Sequence, residues 1–457
     1  MSNMTAGFAE IVGTHNLLTG DAIPDDYAHD EELTAPPQKP AYLAKPSSAE
    51  EVARLLETAT ASKVPVTARG SGTGLSGAAI PRADGLLISF ERMNKVLEVD
   101  TVNQVAVVQP GVTLTELDAA TADCGLRYMV HPGELSSSVG GNVGTNAGGM
   151  NAVKYGIARH NVVGLQAVLP TGEIIRTGGR IAKVSTGYDL TQLIVGSEGT
   201  LALATEVIVK LHPRLAHSAT VLAPFADFDQ VMAAVPAILA SGLGPYILEY
   251  VDNMTMAALV HTQHLELGVP DAIRDSCQAY LVVALENRTA DRLDEDVERA
   301  GELLAELGAA DAYVLEGASA RKLIEAREKA FWTAKAMGAD DIIDTVVPRG
   351  AMPKFLAGAR DLAGAAGGGA VGCGHAGDGN VHLAIFCKDP AARKQLMTDI
   401  FALAMELGGA ISGEHGLGRA KTPYFLELED PVKVDLLRRI KQSFDPAGIL
   451  NPDVLFG

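Results

Sequence analysis

Short apolar runs alternate with glycine-heavy stretches through the first half of the chain. After a proline-rich entry (Pro36, Pro37, Pro40, Pro46), Ser47 or Ser48 precedes apolar residues at helical spacing, which predicts a capped helix to about Ser62. The strand-like Val64-Pro-Val-Thr-Ala follows it. Further β-rich runs are predicted at Leu86–Ser89, Lys95–Asp100 and Val105–Gln109, then a helical stretch near Thr113–Cys124. A Gly/Ser/Asn-rich segment from Pro132 to Gly149 reads as loop. From about Ala216 the texture changes, with strands near Thr220, Ile247, Tyr280 and Tyr313 separated by Ala/Leu/Glu-rich helices.

These patterns give an α+β fold in three parts: residues 1–215, a second domain at 216–412, and a C-terminal segment at 413–457 that returns to the first. The alternation in the second domain resembles ferredoxin-like β-α-β packing. A chain of 457 residues exceeds a single core, which agrees with that division. With 47% hydrophobic and 20% charged residues the composition is that of a globular protein. The net charge of −19 argues against a nucleic-acid groove and against attraction to an anionic bilayer. Cys124, Cys277, Cys373 and Cys387 form no C-x-x-C pair, so an electron leaving this chain needs a carrier elsewhere. Sparse cysteine, no basic N-terminal leader after Met1 and no long apolar span place the chain in the cytosol. Any contact with the inner face of a membrane would run through a partner.

Two glycine-rich stretches carry the first chemistry. Arg69-Gly-Ser-Gly-Thr-Gly-Leu-Ser-Gly77 follows a predicted strand, and its glycines allow several amides to turn toward one anion, with a pyrophosphate the natural guest. Gly140-Gly-Asn-Val-Gly-Thr-Asn-Ala-Gly-Gly149 repeats the composition and adds amides and hydroxyls suited to phosphate and ring edges. The formal pattern Gly72-x-Gly74-x-x-Gly77 also fits a dinucleotide fold, but no acidic ribose ligand on a following strand accompanies it.

Together with Pro65–Gly77, Pro132–Gly149 and Gly196-Ser-Glu-Gly-Thr-Leu201, these stretches resemble the vanillyl-alcohol-oxidase/PCMH type of FAD-binding fold. Over residues 40–457 the chain is similar to the FAD-linked D-2-hydroxyacid dehydrogenase group. That group includes the glycolate oxidase flavoprotein subunit, D-lactate dehydrogenase (acceptor) and D-2-hydroxyglutarate dehydrogenase. The resemblance implies FAD contacts from Arg69, Gly70, Ser71, Gly72, Thr73, Gly74 and Ser76. A second set is Pro132, Gly133, Ser138, Gly141, Asn142, Thr145, Asn146, Gly148 and Gly149. Glu198, Gly199 and Val207 complete it, with Asn451 in Phe444-Asp-Pro-Ala-Gly-Ile-Leu-Asn-Pro452 either touching the flavin or capping a turn. Thr73 stands where some relatives place a flavin-linking histidine, so the FAD is expected to be non-covalent.

In Gly374-His-Ala-Gly-Asp-Gly-Asn-Val-His382, Asp378-Gly379 suits a two-residue type I′ turn. That register pairs His375 with His382, their Cβ atoms about 5 Å apart, so the imidazoles either chelate a divalent ion or stack on the surface. Gly413-Glu-His-Gly416 offers a further carboxylate and imidazole, and zinc or manganese would suit such a set. Adjacent strand residues point to opposite faces, so Glu414 and His415 share a site only if the backbone bends. The resemblance implies metal ligands His375, His382 and Glu414, with His415 as catalytic base. It also implies substrate contacts from Arg327, Lys335, His375 and Asn380, with Arg327 on the carboxylate, although Arg327 also suits a solvated helix face.

The activity so implied is oxidation of a small D-2-hydroxy acid to the 2-keto acid, D-lactate or glycolate leading. Phe331 and Ile342 stand where the 2-hydroxyglutarate branch needs polar groups for a second carboxylate. That branch is the alternative within the family; a metal-dependent hydrolase and a non-catalytic flavoprotein subunit are the alternatives outside it. The expected partners are a quinone, an iron–sulfur subunit or an electron-transfer flavoprotein as acceptor, and a second copy in a homodimer.

Overall fold

The computed structural model describes residues 2–456, so Met1 and Gly457, the outermost residues of the two end segments, lie outside it. Ser48 accepts from the Glu51 amide and caps the helix Ala49–Ser62, whose Val52, Leu55, Leu56 and Ala59 are buried. This helix packs on a four-stranded sheet, in order Leu17–Thr19, Tyr42–Ala44, Leu86–Ser89 and Val66–Arg69. A five-stranded antiparallel sheet follows: Val96–Asp100, Val105–Val108, Leu203–Lys210, Val162–Val168 and Ile174–Gly178. Thr113 and Glu116 form a capping box at the start of the helix Leu114–Ala122, which covers that sheet.

The second half is built on a seven-stranded antiparallel sheet. Its order is Tyr313–Leu315, His217–Phe225, Ala279–Asn287, Ile247–Asp252, Gly369–Gly374, Asn380–Phe386 and Asp341–Val346. Side chains alternate across it. Leu248, Tyr250, Leu281, Val283, Ile343, Leu383 and Ile385 enter a core beneath the helices Phe228–Ala240, Met352–Ala365 and Pro390–Glu406. The opposite face carries Leu222, Val251, Tyr280, Val282 and Cys373, covered partly by the helices Asn253–Gln263 and Gly317–Glu328. That pleat phase decides the site, because Glu249, Asp344 and His382 fall on the same face as Val251 and Cys373.

Two expectations are corrected. The hairpin pairs Cys373, not His375, with His382, and its connection is longer than two residues. Asp378 has no positive φ, as a type I′ turn would require, although Gly379 does (80°). The cause is tertiary: beyond Gly374 the chain still follows the strand Ile247–Asp252, with the Gly377 amide donating to Leu248 O at 3.1 Å. The Pro132–Gly149 segment is also not all loop, since Ser138 caps a short helix, Val139–Thr145.

The C-terminal helices Gly418–Leu428 and Pro431–Phe444 lead back to the first sheet, where Val66 N donates to Ile449 O and Asn451 N to Val66 O. A buried latch secures the return. The Glu198 carboxylate accepts from Leu417 N at 2.9 Å and Gly418 N at 2.8 Å, and Asn451 Nδ2 donates to Glu198 O and Ala78 O. Among the described residues no helix is long and apolar enough to cross a membrane.

Burial pushes the Glu198 carboxyl up to about 7 against an ordinary 4.5, although both amides oppose it. The folded chain therefore holds a proton that the unfolded chain releases above pH 4.5. Stability from this group is full at lower pH and is lost as pH rises toward 7. Between pH 5 and pH 7 the loss should be about 2 kcal/mol. Urea unfolding across that range should show a shallower pH slope for Glu198→Gln; identical slopes would refute the assignment.

Candidate active site

Two connected cavities lie between the halves. The first is lined by the backbone from Gly70 to Ser76, by Ser137, Ser138 and residues 140–145, and by Glu198 and Gly199. The loops approach closely: Ser71 Oγ donates to Ser136 O at 2.7 Å, and a Cβ on Gly70 would fall 1.9 Å from Ser138 Oγ. Asn142 and Ser137 line this cavity, and Asn142 Nδ2 and Ser137 Oγ are buried without a hydrogen-bond partner in the protein. Orphaned polar groups beside a backbone cradle fit a diphosphate and a flavin ring edge.

Of the expected cofactor contacts, Arg69, Ser71, Gly72, Thr73, Gly74, Pro132, Gly141, Thr145 and Gly148 also line this cavity. The Arg69 guanidinium, however, donates to His29 O and Asp26 O, so it braces the loop rather than meeting a phosphate. Gly133 lines the neighbouring cavity, and Val207 lies in the core of the five-stranded sheet. Asn146 caps the short helix and accepts from Arg159 N, while Gly149 (φ 121°) packs on His131 O. Asn451 belongs to the Glu198 latch and does not reach the cavity.

The second cavity, about 640 Å³, meets the first at Leu75, Pro132, Glu414 and His415. At that junction His375 Nε2 lies 3.1 Å, and His382 Nε2 3.3 Å, from Glu414 Oε1. Four-coordinate ligands at bond lengths of about 2.0–2.1 Å stand about 3.4 Å apart, so this spacing suits one divalent ion. The imidazoles are edge to face with centroids 4.9 Å apart, and His415 stacks on His382 at 5.3 Å.

Two buried carboxylates that the sequence reading missed organise the cluster. Glu249 accepts from His375 Nδ1 at 2.6 Å and lies 2.7 Å from Arg327 Nη2, all three side chains buried. The Arg327 contact is an ion pair without hydrogen-bond geometry; its Nε and Nη2 are buried without a hydrogen-bond partner, and the residue lines the cavity. Asp344 Oδ2 accepts from Ser412 Oγ at 2.7 Å and from the amides of Gly413, Glu414 and His415 at 3.1, 3.2 and 2.9 Å. Three successive amides converging on one oxygen supply the bend that lets Glu414 and His415 share the site. A Cβ on Gly413 would strike Asn380 Nδ2 at 1.9 Å. The only signals in the sequence were acidic residues inside the apolar runs Ile247-Leu-Glu-Tyr-Val and Ile342-Ile-Asp-Thr-Val.

The charges follow these contacts. Burial opposes ionisation of His375, but Glu249 and Glu414 outweigh it and raise its pKa to about 10. Burial also opposes the charge on Glu414, yet His375 and His382 hold its carboxyl well below the usual range. Burial pushes His415 down to about 4 against the pull of Asp344, leaving it neutral near pH 7. Lys335 is turned to Glu31 at 2.8 Å on the surface, and Asn380 donates to Asp344 at 3.1 Å; neither lines the cavity, because each side chain has a nearer partner.

Residues 214–455 match the family model of FAD linked oxidases, C-terminal domain, and residues 40–178 that of the FAD binding domain. The chain is 81% identical, over all of both chains, to an FAD-linked oxidoreductase of Mycobacterium tuberculosis. It is 36% identical to a D-lactate dehydrogenase of Anaerostipes hadrus, over 98% of this chain and 96% of the relative. Its fold matches p-cresol methylhydroxylase with a TM-score of 0.84 at 18% identity, covering 99% and 96% of the two chains.

Asp344→Ala should lower stability by about 3–5 kcal/mol, because it leaves Lys421 and three amides facing an empty space. Lys335→Ala should stay within about 0.5 kcal/mol, as an exposed ion pair predicts. Urea midpoints of the two variants decide both; equal midpoints would remove Asp344 from its organising role.

Proposed function

The chain belongs to the FAD-linked oxidases, and on that premise we propose that it oxidises a D-2-hydroxy monocarboxylic acid to the 2-keto acid and passes the electrons to an acceptor other than NAD. One observation carries the reading: a buried arginine with unpaired donors and a neutral histidine share one cavity wall where that cavity opens onto the FAD site. Arg327, whose Nε has no partner, can take a carboxylate while Glu249 fixes its orientation through Nη2. His415, uncharged through burial, can accept the hydroxyl proton as the Cα hydrogen departs with its electron pair and the C–O bond becomes C=O.

FAD, when bound, supplies the hydride acceptor that no side chain provides. Thr73 in its loop offers no histidine for a covalent link, which supports a dissociable flavin. His375, His382 and Glu414 would hold a divalent ion, zinc or manganese, whose Lewis acidity would favour the alkoxide. Asp344, His382 and His415 form a second candidate triad, but Asp344 is already satisfied by its donors and by Lys421 Nζ at 3.4 Å. Family membership sets aside the hydrolase and the non-catalytic subunit. The four cysteines form no C-x-x-C pair, and a quinone, an iron–sulfur subunit, an electron-transfer flavoprotein or oxygen itself would take the electrons.

Anaerobic mixing with paired enantiomers of 2-hydroxy acids should bleach the flavin with the D form alone. Bleaching by L forms, or by none, would refute the reading. His415→Ala should slow flavin reduction by about 10²–10⁴-fold with FAD retained. His375→Ala should lose the divalent ion, read by elemental analysis, and turnover, while keeping the yellow flavin spectrum; full activity without the ion would remove the metal from the scheme.

A further inference from the structure

Resting on the 2-hydroxy-acid reading, we propose that the substrate carries an apolar tail of about four to eight carbons beyond its hydroxyl-bearing carbon. A methyl group or a hydrogen would leave most of the cavity unfilled. The polar groups that would handle a 2-hydroxy acid are gathered at one end of the cavity: Arg327, the three-ligand cluster and His415. The cavity, open to solvent at its rim and joined to the FAD cavity, has about 640 Å³, the space of about twenty water molecules, whereas lactate has about six non-hydrogen atoms.

The rest of the cavity is mostly apolar. Met254 and Ala258 enter it from the helix Asn253–Gln263, Phe331 and Ala334 from Ala330–Ala336, and Ile342 and Phe386 from two neighbouring strands. At its rim Met254 is 67% and Met337 55% exposed, large apolar surfaces that an occupant's tail would cover.

Among the described residues that line the cavity, Arg360 is the one Arg or Lys besides Arg327, and it is already engaged. Its guanidinium is stacked on Phe228 at 4.3 Å and lies 4.0 Å from Asp252. Lys335 is turned out to Glu31. Glu328 contacts His131 at 3.2 Å and would repel an anion when ionised. The wall therefore selects a hydrocarbon, aliphatic or aryl, over a dicarboxylate.

The test is stopped-flow reduction of the FAD-loaded enzyme, without oxygen, by glycolate and by D-2-hydroxy acids of three, four, six and eight carbons. The ratio of reduction rate to dissociation constant should rise about fourfold per methylene until the cavity is filled, through tighter binding. A ratio that is flat or falls with chain length, with lactate still bleaching the flavin, overturns the tail and leaves the hydroxy-acid reading standing. No bleaching by any member, in protein whose flavin is reduced by dithionite, overturns both. Ala258→Phe should lower the preference for the eight-carbon over the three-carbon acid by tenfold or more, and an unchanged preference removes the tail from this wall.

Discussion

The Asp344 carboxylate is the constraint on which the centre of this protein depends. It has no exposed surface, and one of its oxygens receives a hydroxyl, three successive backbone amides and a lysine ammonium. A buried charge is tolerable only when its lost hydration is replaced, and here the replacement is the loop that carries Glu414 and His415. The same contact that solvates the carboxylate therefore shapes the loop. Without it, consecutive residues would point apart and one of the two would leave the junction of the cavities.

Glu249 plays the matching part on the strand Ile247–Asp252, separated from that of Asp344 by the two strands of the hairpin. It lies between two groups of positive character, fixing the ring of His375 through Nδ1 and turning Arg327 toward the cavity. His375 is thereby left with Nε2 toward Glu414 and His382, the arrangement in which a second ring nitrogen bonded to a carboxylate orients a metal-binding imidazole. Because Glu249, Asp344 and His382 share one face of the seven-stranded sheet, the pleat aligns them without special loop geometry. Their positions are more rigid than those of groups borne on loops.

The two halves are joined where the chemistry lies. The sheet face with the carboxylates closes the cavity from one side, and the glycine loops with the short helix Val139–Thr145 close the adjoining one. The last segment crosses between them and is tied down by Glu198, Asn451 and the backbone bonds to Val66. A residue resembling a cofactor contact in the sequence thus serves to hold the domain junction. Glu198 lines the cavity, but its two carboxyl oxygens are engaged by two amides.

The local features were legible in the sequence because their causes are local. Ser48 and Thr113 as caps, the apolar strand runs and the glycine stretch after Arg69 each follow from backbone geometry within a few residues. The grouping of His375, His382 and Glu414 was legible through family resemblance, although the register reasoning offered for the two histidines was off by two residues. The rest required contacts between distant segments. Nothing near Lys335 discloses that Glu31 holds it, nothing near Asn451 that Glu198 does, and nothing in the strand Asp341–Val346 that Asp344 meets the loop carrying Glu414 and His415. The sequence by itself determined the elements, the flavin loops and the kinds of side chain available for chemistry. Only the tertiary structure decided which of those side chains meet, because a buried charge takes its role from whichever donors the packed chain brings to it.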